Sequence, residues 1–492
     1  MKEKLTGVLK ENMALLERLY SPNFVVKQRC FENQRDPRIR CCLLFVDGMT
    51  DSQQLNADII RPIMLNRRLR PSERLLDQLM EEVVFSNEAS KSGDVETLMA
   101  ELLSGNAVLL VEGQKEALML SARHWTIRSV SEPEAEKVLQ GPREGFTESL
   151  LVNLSLLRRK LCNPDLKFEK LSVGRQTRTR VSLCYVEGLV NREILEELRK
   201  RLERIDIDGV LDANYIRELI RDSAASPFQT TGFTERPDVV AAKLLEGRAA
   251  LLVDGSPVAV TVPFLFLEYF QTNDDYYSDF YFGSLGRILR ILGFVVTISL
   301  PAVYLALVTW HQDLLPTRFL LNLFMARQGL PFPTFFEMLL LILAFELIRE
   351  GGSRIPTGFG QTLSVVGGLI LGQASVDAML VSIPVVIIVA FTGITGLIIP
   401  SMKGPILLIR LIWLVLAGLL GLPGYFLGAA ALLVHLSGLR TFGLPYTSLL
   451  SHSFSQHFTD TVIRAPWNRM LLRPARLSPK NSRRQKDPFR QP

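Results

Sequence analysis

The sequence predicts a duplicated cytosolic α/β domain followed by an α-helical transmembrane domain. Two observations support this fold class: similar strand-like segments recur before residue 286, and long uncharged runs occur only after it. Residues 291–310 are 20 consecutive uncharged positions. At about 1.5 Å per residue, a helix of this length matches a bilayer hydrocarbon core of about 30 Å. The first long run therefore predicts a membrane span.

Two pairs of similar segments indicate the duplication. Residues 41–48 (CCLLFVDG) resemble residues 181–188 (VSLCYVEG), and residues 102–113 resemble residues 244–255. Each copy predicts a buried strand, helices, and a second strand that turns back at an acidic-Gly pair. We interpret the acidic members of these turns as turn formers rather than catalytic or metal-binding groups. They are Asp47, Glu112, Glu187 and Asp254.

The composition changes divide the chain into four parts. We assign residues 1–150 and 151–285 to two cytosolic α/β subdomains, the second a repeat of the first. Residues 286–460 form the predicted transmembrane domain, with about four spans and one re-entrant or extra helix. Residues 461–492 are a basic cytoplasmic tail.

Motifs of common enzyme and binding classes are missing from the sequence. It has no GxxxxGK[ST] loop, no GxGxxG after a strand, and no HExxH, GxSxG or DxDxDG motif. Its five cysteines lack the spacing of a zinc site and are expected to be reduced thiols. We therefore expect no enzymatic activity, no cofactor, no metal site and no nucleic-acid partner.

The charge distribution predicts the orientation. Residues 1–20 alternate charged and apolar side chains, so we expect no signal peptide and a cytoplasmic first half. Residues 464–492 hold nine basic side chains and one acidic side chain, which the positive-inside rule places in the cytoplasm. Two cytoplasmic ends require an even number of crossings. The four predicted spans are residues 291–310, about 334–350, 380–400 and 411–434.

Carboxylates within the predicted spans are candidates for a pore. Glu337 has no neighbouring cation in the sequence, and a carboxylate at membrane depth is costly enough to indicate a water-filled path or a partner. Glu346 is followed by Arg349 and Glu350 at helical spacing. We interpret these three residues as a structural ion cluster near a helix end.

The segment 361–377 is the second pore candidate because it is rich in small and polar residues. Gly368 and Gly372 have the small-xxx-small spacing that lets helices approach closely. Two interpretations stay open: helix packing, and a narrow polar lining repeated around an oligomer axis. The segment is either re-entrant or a fifth span balanced by a hairpin at residues 421–424. Its pore or gating candidates are Gln361, Ser364, Val365, Gly368, Gly372 and Gln373.

Short motifs along nearly the whole chain resemble the A subunits of bacterial spore germinant receptors, the GerA family. They include Asp47-Gly-Met, Ile60-Arg-Pro, Gly141-Pro-Arg-Glu-Gly-Phe, Thr234-Glu-Arg-Pro-Asp, Asp254-Gly-Ser-Pro, Asp274-Asp-Tyr-Tyr, Arg354-Ile-Pro and Gly372-Gln-Ala. The resemblance implies a homo-oligomeric ring in the spore inner membrane, together with a transporter-like B subunit and a C-subunit lipoprotein. In such a receptor the B subunit senses the nutrient and the A subunits form the ion-conducting pore.

The resemblance thus implies a nutrient-gated channel that releases cations from the spore core to start germination. Few spans and a duplication confined to the soluble half also favour an oligomeric channel over a carrier, which usually has inverted repeats among many more spans. Three alternatives stay open. The chain could be a channel of the stage V sporulation protein AF type, which amplifies germination, a membrane-anchored signalling scaffold without a pore, or a secondary transporter.

Overall fold

A computed structural model describes most of the chain as two α/β units followed by a helical region. The described residues are 4–86, 88–122, 133, 136–138, 140–354, 368, 372–447, 460–474, 477–478 and 481–485. We refer to residues 4–122 as the first unit and to residues 147–262 as the second unit. Each unit is built on a five-stranded antiparallel sheet.

The sheet of the first unit has the strand order β1-β2-β4-β5-β3. Its strands are β1 (Val26–Glu32), β2 (Arg40–Val46), β3 (Ala89–Ser92), β4 (Ala107–Val111) and β5 (Ala117–Leu120). Helices α1 (Leu9–Tyr20) and α2 (Val95–Leu103) cover one face of this sheet. Short helical segments cover the other face. These are Ser52–Gln54, Leu55–Ile60, Arg61–Leu65, Leu75–Gln78 and Leu79–Val83.

The second unit repeats this architecture. Its strands are β6 (Leu166–Val173), β7 (Thr179–Val186), β8 (Gly232–Thr234), β9 (Ala249–Val253) and β10 (Ala259–Val262). Their order, β6-β7-β9-β10-β8, is the order of the first sheet. Its helices are α3 (Leu150–Lys160) and α6 (Pro237–Leu245) on one face, and α4 (Arg192–Glu203) and α5 (Ala213–Ile220) on the other. The two units therefore have the same strand order.

The predicted hairpins are present in both units. β4 pairs with β5 and β9 pairs with β10, each across an acidic-Gly turn. Gly113 and Gly255 have φ values of 80° and 89°, a region that side chains with a Cβ rarely adopt. The turn-former interpretation of Glu112 and Asp254 therefore agrees with the backbone, and Asp254 also pairs with Arg180 at 2.8 Å.

The helical region follows a one-turn helix, Asp274–Tyr277. It contains α7 (Phe280–Thr309), α8 (Thr317–Met325), α9 (Thr334–Arg354), α10 (Ile383–Gly396), α11 (Lys403–Leu420) and α12 (Leu422–Gly438), then β11 (Arg440–Thr441) and β12 (Leu444–Pro445). Within the described ranges, two helices are long and apolar enough to cross a membrane. They are Phe280–Thr309 with 30 residues and Pro400–Leu420 with 21. α10 and α12 are shorter apolar helices.

The prediction of one continuous span over residues 411–434 is wrong. The chain reverses at Gly421, whose φ is +67°, and Pro423 follows in the first turn of α12. The ring of Trp413 on α11 lies 5.1 Å from that of Tyr425 on α12, so the two helices fold back on each other. The reversal lies at the hairpin of residues 421–424 that one of the two sequence alternatives proposed, where Gly421 and Pro423 are the local signal.

The described part of the tail contacts the second unit. The Arg473 Nε donates a hydrogen bond of 2.7 Å to the Leu245 carbonyl, and Arg484 pairs with Glu246 at 3.1 Å. The tail and the second unit therefore lie on the same side of the helical region.

Candidate functional site

Glu337 lies at the start of α9 and is completely buried. Its Oε2 accepts hydrogen bonds from the Ser382 backbone N–H at 2.9 Å and from the Ser382 hydroxyl at 2.8 Å. Its Oε1 lies 3.8 Å from the Arg327 Nε, which comes from the loop between α8 and α9. Ser382 is 45 positions from Glu337, and Arg327 lies outside α9 beyond the three or four positions over which one helix brings side chains together, so neither is an evident partner in the sequence.

Several buried polar atoms lie around this carboxylate without a hydrogen-bond partner among the described residues. They are Tyr304 Oη, Arg327 Nε, Thr334 Oγ1 and Glu337 Oε1. Tyr304 belongs to the same apolar cluster as Met338, the residue after Glu337. Buried polar groups nearly always find a partner, and a water molecule commonly provides it. We call these four residues and Ser382 the Glu337 cluster, a buried polar site within the helical region.

The structural ion cluster predicted at Glu346 has an additional partner. Glu346 Oε1 lies 2.9 Å from Arg410 on α11, closer than the 3.8 Å that separates it from Arg349. Glu350 pairs with Lys403 at 2.9 Å. These contacts join α9 to α11, and Arg410 is almost fully buried. The sequence indicated only the local pair, because the i+3 spacing of Arg349 is visible without the fold.

The structure describes only part of the second predicted pore segment. Gln361, Ser364 and Val365 lie outside the described residues. A Cβ at Gly368 would meet no described atom within 4 Å, whereas a Cβ at Gly372 would lie 3.6 Å from Val386 on α10.

Gln373 is largely solvated at the end of the same segment. Its side-chain amide donates a hydrogen bond of 3.0 Å to Asp377, and this contact is exposed. Val376 packs against the apolar cluster that contains Met338. The end of the segment therefore lies near the Glu337 cluster, whereas Glu346 is held by a separate ion pair.

A second buried polar cluster, which we call the junction cluster, joins α7 to the segment before it and to the tail. Arg287 is fully buried, and its guanidinium contacts Asp275 at 3.0 Å and Asp460 at 2.9 Å. Arg290 also pairs with Asp275. The Tyr276 hydroxyl donates to Asp460 at 3.1 Å. In the sequence these two arginines follow the aromatic residues of segment 276–282, a pattern typical of a membrane interface, and this pattern does not reveal their carboxylate partners.

Burial affects the acidic groups of the junction cluster. Desolvation raises the pKa of the Asp460 carboxyl, and the neighbouring Arg287 guanidinium opposes this rise. Desolvation also raises the pKa of the Tyr276 hydroxyl. The cluster joins the segment before α7, α7 itself and the tail. Since the tail also contacts the second unit, the cluster links that unit to the first long helix through the tail.

No group of three or more metal-ligating side chains occurs in the part of the chain that the structure describes. The five cysteines form no disulfide, and Cys41, Cys42 and Cys184 are buried. Burial raises the pKa of the Cys41 and Cys184 thiols to about 12, which keeps them protonated and unreactive near neutral pH. The polar clusters of the helical region are therefore the candidate functional site.

Comparisons with known proteins agree on one family. The family model described as Bacillus/Clostridium GerA spore germination protein matches residues 14–476. The chain is 38% identical over 449 residues to spore germination protein KA of Bacillus subtilis, covering 91% of this chain and 82% of that protein. It is 35% identical over 445 residues to spore germination protein GerLA of Bacillus cereus, covering 90% of each chain.

A solved structure is also similar. It is the crystal structure of the N-terminal domain of the A subunit of the Bacillus megaterium spore germinant receptor GerK3. The similarity covers 54% of this chain and 98% of that domain, with 32% sequence identity and a TM-score of 0.45.

Proposed function

The chain belongs to the GerA family of spore germination proteins, and from this we propose that it is the A subunit of a spore germinant receptor. We further propose that several copies assemble in the spore inner membrane into a nutrient-gated cation channel. The B subunit and the C-subunit lipoprotein of the receptor would be its partners. Nutrient sensing would then open a path for cations to leave the spore core.

The Glu337 cluster is the observation that supports a channel most directly. An ionisable side chain inside a membrane-spanning bundle is costly, and such residues commonly mark ion paths. The Glu337 carboxylate is completely buried, accepts a hydrogen bond from the Ser382 hydroxyl and lies 3.8 Å from the Arg327 guanidinium. Small movements of the helices would make or break these two contacts. Copies of this carboxylate around an axis would favour cations over anions.

The exposed apolar surface supports assembly in a membrane. Large side chains on three different helices are more than half exposed, among them Leu340 (51%), Ile387 (61%) and Phe426 (64%). Large apolar side chains exposed on several helices are commonly covered by lipid or by another protein. Since the bundle is small, we expect a pore to lie between several copies rather than within one chain.

A scaffold without a pore is the second candidate function, and the junction cluster favours it because that cluster links the second unit to α7 through the tail. Measuring the nutrient-triggered release of monovalent cations from spores would distinguish a channel from a scaffold. Spores that carry this chain as their only A subunit should release cations before the core hydrates. Normal germination without an A-subunit-dependent early release would support the scaffold.

We expect Glu337→Gln to lower cation conductance or selectivity more than it lowers assembly. Glutamine keeps the size of the side chain and one oxygen to accept from Ser382, but it removes the charge. Glu346→Gln is the control, because the loss of this carboxylate leaves the buried Arg410 without its closest partner and should reduce oligomer yield. Single-channel recording and oligomer yield would be measured for both variants. Unchanged selectivity in Glu337→Gln would place the pore lining in residues 361–377 instead.

We expect Gly372→Val to abolish ion release while protein levels hold. A Cβ at this position already lies 3.6 Å from Val386, so two further methyl groups would force the segment away from α10. Gly372→Ala is the matched control and should retain most of the activity, because its Cβ fits at ordinary contact distance. Immunoblotting and cation release from spores would be compared, and normal release in Gly372→Val spores would contradict the proposal for this segment.

A further inference from the structure

We propose that copies of this chain associate head to tail through their α/β units. Within each chain, the first unit contacts α3 and β6 of the second unit. In the proposed arrangement, the second unit of one copy makes the equivalent contact with α1 and β1 of the next copy. The inference rests on the proposed function, which requires several copies, and it identifies the surface through which they meet. The evidence is that the internal contact between the two units has a counterpart that is exposed among the described residues.

The internal contact is formed by a loop and a turn of the first unit. Asn23 donates a hydrogen bond of 3.2 Å to the Leu166 carbonyl and accepts one of 2.5 Å from the Phe168 N–H, both on β6. The Ser155 hydroxyl of α3 donates to the Gly48 carbonyl at 3.2 Å. The first unit thus presents Asn23 and Gly48 to the first helix and first strand of the second unit.

Local hydrogen bonds show which residues of the two units correspond. The Thr6 N–H donates to Asn12 at 2.8 Å before α1, and the Thr147 N–H donates to Asn153 at 2.7 Å before α3. These two helices are therefore equivalent.

The contact loop and turn of the first unit also have counterparts. Asn23 and Asn163 both accept, through their carbonyls, the N–H of the first residue of the following strand. Gly48 and Gly188 both have a φ of 81° in the turn after the second strand of their unit. Asn163 and Gly188 are thus the counterparts of Asn23 and Gly48.

The counterpart surface on the second unit is exposed. Asn23 is only 3% exposed, whereas Asn163 is exposed to solvent. A Cβ at Gly48 would lie 3.0 Å from the Ser155 hydroxyl, whereas a Cβ at Gly188 would meet nothing within 4 Å among the described residues. Among the described residues, nothing lies against Asn163 and Gly188 as α3 and β6 lie against Asn23 and Gly48, and the tail residue Leu477 lies only beside the following residue, Leu189.

The complementary surface on the first unit is exposed as well. On α3, Ser155 and Arg158 are buried, but their counterparts on α1, Ala14 and Glu17, are exposed. Ala14 is as small as Ser155 and permits an equally close approach to a glycine turn. Each chain thus carries both halves of one interface, one on each unit.

Charge supports the same pairing. Within the chain, Leu151 of α3 lies against Gly48, with its Cβ 3.5 Å from the position of a Cβ there. The counterpart of Leu151 on α1 is Lys10, which would lie beside Gly188 and its neighbour Glu187. Both Lys10 and Glu187 are exposed in the single chain. The opposite charges of Lys10 and Glu187 would attract each other across a contact between two chains that the membrane holds in one plane.

This contact is heterologous, because different surfaces of the two copies meet. Heterologous contacts form a ring when the rotation between copies closes and an open filament when it does not. Anchoring of every copy in one membrane with one orientation favours closure around an axis normal to that membrane. The resulting ring of soluble units would lie above a shared membrane pore.

Cysteine cross-linking in the full-length protein tests the interface. The exposed Cys30 and Cys162 are first replaced by serine, and then Lys10→Cys and Glu187→Cys are introduced together. We expect mild oxidation to give a ladder of covalent oligomers in the double variant and monomer in each single variant. Lys10→Cys combined with Lys200→Cys is the matched control, because Lys200 is exposed on α4 away from this surface and should give no ladder.

The oligomeric mass of the same samples distinguishes the possible failures. An oligomer of full mass without a Lys10–Glu187 cross-link would overturn the proposed surface but leave the channel proposal standing. A monomer in every sample would contradict both. A dimer cross-linked in the Lys10→Cys single variant would replace the head-to-tail contact by a symmetric one and would also overturn the inference.

Discussion

Replacing Arg287 by methionine is expected to cause the largest loss of folded protein of any single substitution considered. The side chain is fully buried and contacts both Asp275 and Asp460. Methionine fills a similar volume but leaves Asp460 without its guanidinium partner. Removing one partner of a buried ion pair typically costs about 3–5 kcal/mol. The unfolding midpoint of the full chain in detergent and the yield of monodisperse protein would both fall.

The control for this substitution is Arg469→Met, which removes an exposed arginine of the same tail. We expect it to leave both measurements nearly unchanged, since exposed charges contribute little to stability. If Arg287→Met behaves like Arg469→Met, the junction cluster does not hold the tail against α7. Protease accessibility of the tail provides an independent measurement, and we expect faster cleavage near Asp460 only in the Arg287 variant.

The second large effect is expected for Arg410→Met. Arg410 is almost fully buried on α11 and lies 2.9 Å from Glu346, so its removal leaves a mostly buried carboxylate with Arg349 at 3.8 Å as its nearest cation. We expect a loss of about 3 kcal/mol or more, seen as a lower oligomer yield and a lower unfolding midpoint.

Lys403→Met is the matched control on the same helix. Its pair with Glu350 has side-chain exposures of 37% and 49%, and an exposed pair is worth about 1 kcal/mol at most. Equal losses in the two variants would mean that burial does not determine the strength of the contacts between α9 and α11. A loss confined to Arg410→Met would support the ion pair as a structural contact rather than a gating element.

The sequence predicts local features of this fold well. The hairpins at Gly113 and Gly255 and the duplication follow from short segments whose structure depends on neighbouring residues. The pair between Glu346 and Arg349 is visible because a helix brings residues three positions apart together.

The partners that define the candidate site are not visible in the sequence. Ser382 is 45 positions from Glu337, and Arg410 is 64 positions from Glu346. Nothing local indicates that these residues meet, because tertiary packing determines their distance. Arg287 illustrates the same limit. An arginine beside aromatic residues is typical of a membrane interface, and this pattern does not show that Arg287 pairs with Asp460, which is far away in the sequence.

Recording from the purified, oligomeric chain in planar lipid bilayers tests the central proposal most directly. We expect discrete current steps that are selective for cations over anions, and a reduced selectivity in Glu337→Gln at equal oligomer content. When the chain is reconstituted with its receptor partners, nutrient should increase the open probability. The absence of current from folded oligomers, with or without those partners, would contradict the channel and leave the scaffold function.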